Sequence, residues 1–303
     1  MAVAMGSQAK VGMINEVTAG TAVVVTELYE LISGDMGSIE ELLDTGGITG
    51  TRAHLSERVR QNIRRCTGSI TLNPNAIELD NLLPRILGTA EVVDVFDLAE
   101  TLLPFTINID RGPRRFYYAG CFVNKATFRA SAGQALTVQL DIEAFTETSD
   151  STAFPAITLN LATGPYLFSD AVISVSGTNY AFKSWELVVD NMLDTERFLN
   201  STTRAALPAK DRMVSVTLDA PYGTPAADNT ALYGLAATGV AVIATFTNAQ
   251  ATGVSCIFNC PKVSFPRISP ILSGKEELMI PLRGIARKGT GSFEIRVTND
   301  SLP

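Results

Sequence analysis

Few residues in this chain have the types and spacing that chemistry needs. There is one histidine, His54, in 303 residues. A Ser-His-Asp or Cys-His set would have to use it, and a related segment later in the chain carries Ala206 at the matching place. Cys256 and Cys260 form a C-x3-C pair in a strand-like run. Along one strand their Cα atoms would stand about 13 Å apart, beyond disulfide reach. No second cysteine pair or nearby histidine completes a zinc set. The reading for these two, and for Cys66 and Cys121, is buried reduced thiols in a protein assembled in a cytosol. Asp141 and Glu143 could serve as an acid and a base, but alternating acids on a strand more often make a wetted face. The sequence has no Walker loop, G-x-S-x-G, H-E-x-x-H or dinucleotide fingerprint. No enzyme, cofactor or metal is expected.

Charge narrows the partners. The chain carries a net −7, with 18% charged and 46% hydrophobic residues. Gripping a nucleic acid takes a basic stripe that displaces counterions, and Arg64-Arg65 and Arg114-Arg115 are too short to be one. An acidic wall would instead let a polyanion pass without sticking. Phe116-Tyr117-Tyr118 suits strand packing as well as sugar stacking. Met1 to Gly20 holds Lys10 and Glu16 and no long apolar stretch, so neither a signal peptide nor a membrane span is expected.

Strands must position whatever this chain presents. Leu136, Val138, Leu140, Ile142 and Ala144 alternate with Thr137, Gln139, Asp141 and Glu143, the period of a half-buried strand. Further strands are expected at 105–110, 168–176, 185–189 and 240–247. One helix is expected over Ala76–Leu87. Asn75 caps it, Glu78 closes a capping box, Leu79, Leu82, Leu83 and Ile86 form its apolar face, and Gly88 ends it.

Self-comparison finds three blocks recurring in order. Thr51-Arg52-Ala53 returns as Thr203-Arg204-Ala205, Ser69-Ile70-Thr71-Leu72 as Ser215-Val216-Thr217-Leu218, and Lys125-Ala126-Thr127-Phe128 as Lys262-Val263-Ser264-Phe265. The expectation is a mainly β chain with two similar sandwich or barrel domains, each with at most one short flanking helix. The division is an N-terminal arm (1–21), a first domain (22–150), a linker (151–165) and a second domain (166–303). The stretch matching the helix, Tyr222–Leu235, contains Gly223, Pro225 and Gly234 and should hold a shorter helix or none.

Several blocks resemble the tail tube proteins of siphophage-like, long-tailed bacteriophages. They are Gly6-Ser7-Gln8-x-Lys10 with Gly12 and Glu16, Gly47 through Thr51-Arg52, Gly68-Ser69-Ile70-Thr71-Leu72, and Glu78-Leu79-Asp80-x-Leu82-Leu83-Pro84-x-Ile86-Leu87-Gly88. Pro104-Phe105-Thr106-Ile107 and Gly120-Cys121-x-Val123-Asn124-Lys125 continue the likeness, which covers most of 6–145. The resemblance implies a virion tail subunit, assembled in the host cytoplasm. It would form stacked rings around a channel for the genome, with tape-measure, tail terminator and distal tail proteins as partners. A duplicated domain suggests a trimeric, pseudo-six-fold ring, with a hexamer of the whole chain as the alternative.

Thr137, Gln139, Asp141, Glu143, Glu277 and Arg283 are the candidate lumen residues. Gln8, Lys10 and Glu16 on the arm, and Glu40, Glu41 and Leu42 on a long loop over Ser33–Gly50, are the candidate ring-to-ring contacts. A competing reading is a tail-tip or capsid-associated binding module for a receptor or glycan.

Overall fold

The structure is a computed structural model that describes residues 5–48, 50, 52–223, 229–235, 239–270, 272, 274–275, 277–289 and 293–301. The fold is mainly β, with antiparallel pairing throughout and a single α-helix among the described residues. The first half contains β1 (Lys10–Asn15), β2 (Glu27–Tyr29), β3 (Leu31–Gly34), β4 (Gly37–Asp44), β5 (Val59–Leu72), α1 (Ala76–Leu87), β6 (Val95–Asp97), β7 (Phe105–Asp110), β8 (Arg115–Ser131), β9 (Thr137–Ala144) and β10 (Thr146–Asp150). The second contains β11 (Ala171–Val175), β12 (Thr178–Asn179), β13 (Ser184–Asp190), β14 (Met213–Pro221), β15 (Val240–Thr247), β16 (Ser255–Ser264), β17 (Met279–Ala286) and β18 (Arg296–Asp300).

Strands pair in the same order in both halves. In the first, an outer sheet runs β2–β1–β7–β8–β10. In the second it runs β12–β11–β15–β16–β18. The other layer runs β4–β5–β9–β8 in the first half, with β3 also on β5, and β13–β14–β17–β16 in the second. β8 and β16 each serve both layers, because a long strand with different neighbours along its length can leave one sheet and enter the other.

The halves are also joined. β13 pairs with β8 from Lys125↔Asp190 to Ser131↔Ser184, so one sheet continues across both. β6, from the first half, extends the second outer sheet by pairing with β18. The buried apolar side chains form one cluster rather than two.

The helix forms where its sequence signals place it. Glu78 N donates to Asn75 Oδ1, Asn75 N donates to Glu78 Oε2, and Gly88 takes a left-handed φ of 83° that a Cβ would disfavour. Pro84 sits in the last turn, yet its carbonyl still accepts from Gly88 N. Arg85 points inward and is nearly fully buried, held by Asn15, Tyr29 and Glu27. That pairing answers the cost of burying a guanidinium. At the matching place in the second half, 229–234 form a short 3-10 segment, while 224–228 lie outside the described residues.

Two expectations are corrected. Residues 10–15 belong to the fold and not to a loose arm, since β1 lies between β2 and β7 and Met13 is wholly buried. Apolar residues at Val11 and Met13, in register with Tyr29 and Ile107, supply the reason. The long loop over 33–50 is instead largely strand, with β4 folding back on β5 as a hairpin. Gly68 permits the approach at its base, where any Cβ would strike the Met36 backbone.

Candidate functional site

The sheet shared by the two halves has a dry face and a wet one. Val138, Leu140 and Ile142 on β9 point into the core, as do Trp185 and Leu187 on β13 and Val214, Val216 and Leu218 on β14. The alternate residues stay partly exposed, since among the described residues no further layer covers them beyond the stretch near Glu143. Register sets their neighbours. One row runs Thr71, Gln139, Thr127, Val188, Ser215, Ile285, and another runs Thr137, Arg129, Glu186, Thr217, Arg283. Hydroxyls and charges alternate with a few aliphatic residues, and Arg129, Glu186 and Arg283 share the second row.

The residues singled out by alternation fall as follows. Thr137, Gln139, Asp141 and Glu143 share one face of β9. Asp141 stands between Ser69 and Lys125 in register, and Gln139 Nε2 donates to its Oδ1 at 3.1 Å. Arg283 is exposed on the same wet face of the sheet, opposite Thr217. Glu277 precedes β17 and is ion-paired with Lys183 at the sheet's end.

Glu143 departs from this pattern. Arg204, with a side chain only 2% exposed, lies 2.7 Å from its Oε2, a close ion pair off the line that a hydrogen bond needs. Arg204 also donates to the carbonyls of Cys66 and Ala144. Thr67 Oγ1 donates to the other carboxylate oxygen of Glu143. Glu143 is therefore tied beneath the β13–β14 connection.

That connection, residues 191–212, crosses from the second half to the first. Arg64 N donates to the Thr202 carbonyl, and Arg65 donates through both terminal nitrogens to Glu196. The Arg65 guanidinium holds the Glu196 carboxyl below its ordinary value. Asn191 Nδ2 donates to the carbonyls of Ile86 and Val123. Single-residue inspection misses this set. The signal available was the recurring Thr-Arg-Ala block, whose second copy contains Arg204.

The expected ring-to-ring residues separate into two groups. Glu16 is buried and structural: it accepts from Gly20 N, Thr106 Oγ1 and Gly120 N, and so pins the turn after β1 to β7 and β8. Gln8 is exposed, and Lys10 sits 6.0 Å over the Phe154 ring. Glu40, Glu41 and Leu42 are exposed on the β4–β5 hairpin, where Ile39, Leu43 and Val59 are exposed as well.

The remaining chemical candidates have structural surroundings. His54 is exposed with Nδ1 3.0 Å from Asp44 Oδ2, on the surface of the hairpin end. All four cysteines are buried and unbridged, and burial pushes the Cys260 thiol up to about 12. Tyr118 is buried in the core, while Arg111 and Arg115 stack on Phe116 and Tyr117. No helix among the described residues is long and apolar enough to cross a membrane.

The curated proteins include no match to the chain. Residues 6–286 match the family model of the phage tail tube protein, so the chain belongs to that family and is a structural component of the virion tail.

Proposed function

We propose that the chain closes into rings that stack into a tube, with the wet face of the shared sheet lining a channel through which the genome passes. One observation supports this most: a sheet running through both halves keeps one face in the core and leaves most of the other face polar and partly exposed. A monomer gains nothing from so long a wet sheet with open borders, since free borders invite pairing with other chains. A ring removes the borders, because each subunit covers its neighbour's.

The wall would be close to neutral along its rows. Arg129 pairs with Glu186, and Lys125 stands between Asp141 and Asp190 in register. Without a basic stripe, DNA phosphates find no counterion-releasing site and slide. The two halves act as two similar modules, so a trimeric ring would present pseudo-six-fold symmetry. The matching pairing order supports this count. A ring of six whole chains is the alternative. The exposed Ile39, Leu42 and Leu43 on the hairpin suit an axial contact between rings. Tape-measure, terminator and distal tail proteins would meet the ends of such a tube.

Electron microscopy of concentrated purified protein tests this. Rings or hollow rods with three chains per ring are expected. A monodisperse monomer at high concentration would defeat the reading, and small particles that bind glycans would favour a receptor-binding module.

A further inference from the structure

We propose that copies of this chain join by repeating between chains the junction that β8 and β13 form within one chain. The outer border of β3–β4 in one copy pairs antiparallel with residues 265–270 of the next, and Arg52 seats on that neighbour as Arg204 seats on the first half. This rests on the ring reading above and names the surfaces that close the ring.

Register relates the two junctions. β5 corresponds to β14, since Ser69-Ile70-Thr71-Leu72 and Ser215-Val216-Thr217-Leu218 occupy matching places. β9 corresponds to β17, because Ser69 opposes Asp141 while Ser215 opposes Ile285. β3 and β4 flank β5 as β13 flanks β14, with Leu31 opposite Leu72 and Trp185 opposite Leu218. The second part of β8 corresponds to the end of β16 and the residues after it, where Val263 and Ser264 pair with β17.

Within the chain the border of β8 from Lys125 to Ser131 is taken by β13. Its counterpart after Ser264 has no strand partner among the described residues. β3 and β4, the counterparts of β13, pair with β5 alone among the described residues. The two unmatched borders are thus the same two surfaces that already fit each other once. Pro266 and Pro270 are an even number of residues apart. In a strand their missing N–H groups fall on one border, and the other border keeps the donors of Phe265, Arg267 and Ser269.

The clamp follows the same relation. Arg204 in Thr203-Arg204-Ala205 reaches across to the Cys66 and Ala144 carbonyls. Arg52 belongs to the first copy of that block, is exposed, and has no hydrogen bond or ion pair among the described residues. Its counterpart surface on a neighbour is the backbone near Arg212 and Lys288. Glu143 corresponds there to Arg287, and the nearby carboxylates of Glu294 and Glu100 are already paired with Arg212, so Arg52 relies on carbonyl acceptors and its contribution is smaller than that of Arg204.

Oxidative cross-linking of assembled protein tests the junction. Ser33→Cys is combined with Ile268→Cys or with Pro266→Cys, which covers the two registers the repeat allows. The native thiols are buried and give no background. Non-reducing gels should show ladders of linked chains from one of these double variants and none from Ser33→Cys with Thr178→Cys on β12. Rods that assemble without any such ladder would overturn the junction and leave the ring reading intact. Failure of the unmodified protein to form rings would overturn both. For the clamp, Arg52→Ala should raise the concentration needed for assembly about tenfold, the effect of losing one charged hydrogen bond, at unchanged melting temperature. Unchanged assembly would remove Arg52 from the junction.

Discussion

The β13–β14 connection and the β4–β5 hairpin occupy the same place in the two halves, yet one is folded down and the other stands out. The first carries Arg204 into a nearly dry site against Glu143 and two carbonyls. The second leaves Arg52 exposed beside exposed Leu55 and His54. Related residues have opposite surroundings because the second half's connection lies on the first half, while no contact of Arg52 with another part of the fold is seen among the described residues. A motif's burial is decided by which neighbour is present, and a missing neighbour points to assembly.

The largest effect should come from breaking the folded-down member. Arg204→Ala leaves the Glu143 carboxylate and two carbonyls without their partner, and a loss of about 3–5 kcal/mol is expected, read by denaturant unfolding. A loss below about 1 kcal/mol, the range of surface changes, would mean the clamp is not what holds the halves. At the base of the standing hairpin, Gly68→Ala forces the Met36 backbone away and should cost about 1–3 kcal/mol. Melting at the wild-type temperature would show that the hairpin base yields easily. In contrast, Arg52→Ala should change monomer stability by less than about 0.5 kcal/mol, which makes the two arginines a direct comparison.

Asp141 sharpens the contrast on the wet face. Asp141→Lys should leave rods intact and slow DNA passage, measured as the rate of genome ejection, because a new cation meets the phosphates. Normal ejection from such particles would place Asp141 away from the channel. Glu143 is unsuited to this test, since a lysine there would face Arg204. The smallest effect concerns acid. Glu196 has its carboxyl lowered by Arg65, so the linkage contributes stability above the ordinary glutamate range and loses it as pH falls through the lowered value. Glu196→Gln should therefore flatten the acid limb of the stability profile below about pH 4.5, and an unchanged limb would assign acid sensitivity to other carboxylates.

Much of the local structure is legible in the sequence. Period-two alternation places β7 and β9, a β-branched apolar run places β15, and the Asn75–Glu78 box with Gly88 places α1, since these signals act within a few residues. The burial of Glu16 was not legible, because its partners Thr106 and Gly120 are distant in sequence and acidic residues are usually found at the surface. The hairpin read as a loop for a related reason: β4 owes its strand form to β5, and its own Gly-rich, acidic sequence carries no alternation.

The class of fold, the helix and its caps, the alternating faces and the recurrence of three blocks follow from the order of residues, because all are consequences of short-range sterics and hydrophobic period. The folded chain alone reveals that β8 and β13 merge the halves into one sheet, that Glu143 is tied under Arg204 while Asp141 stays open, and which borders lack a mate among the described residues. Those outcomes depend on backbone hydrogen bonds and ion pairs between residues far apart along the chain, and a pattern read along one strand contains no information about which other strand will satisfy it.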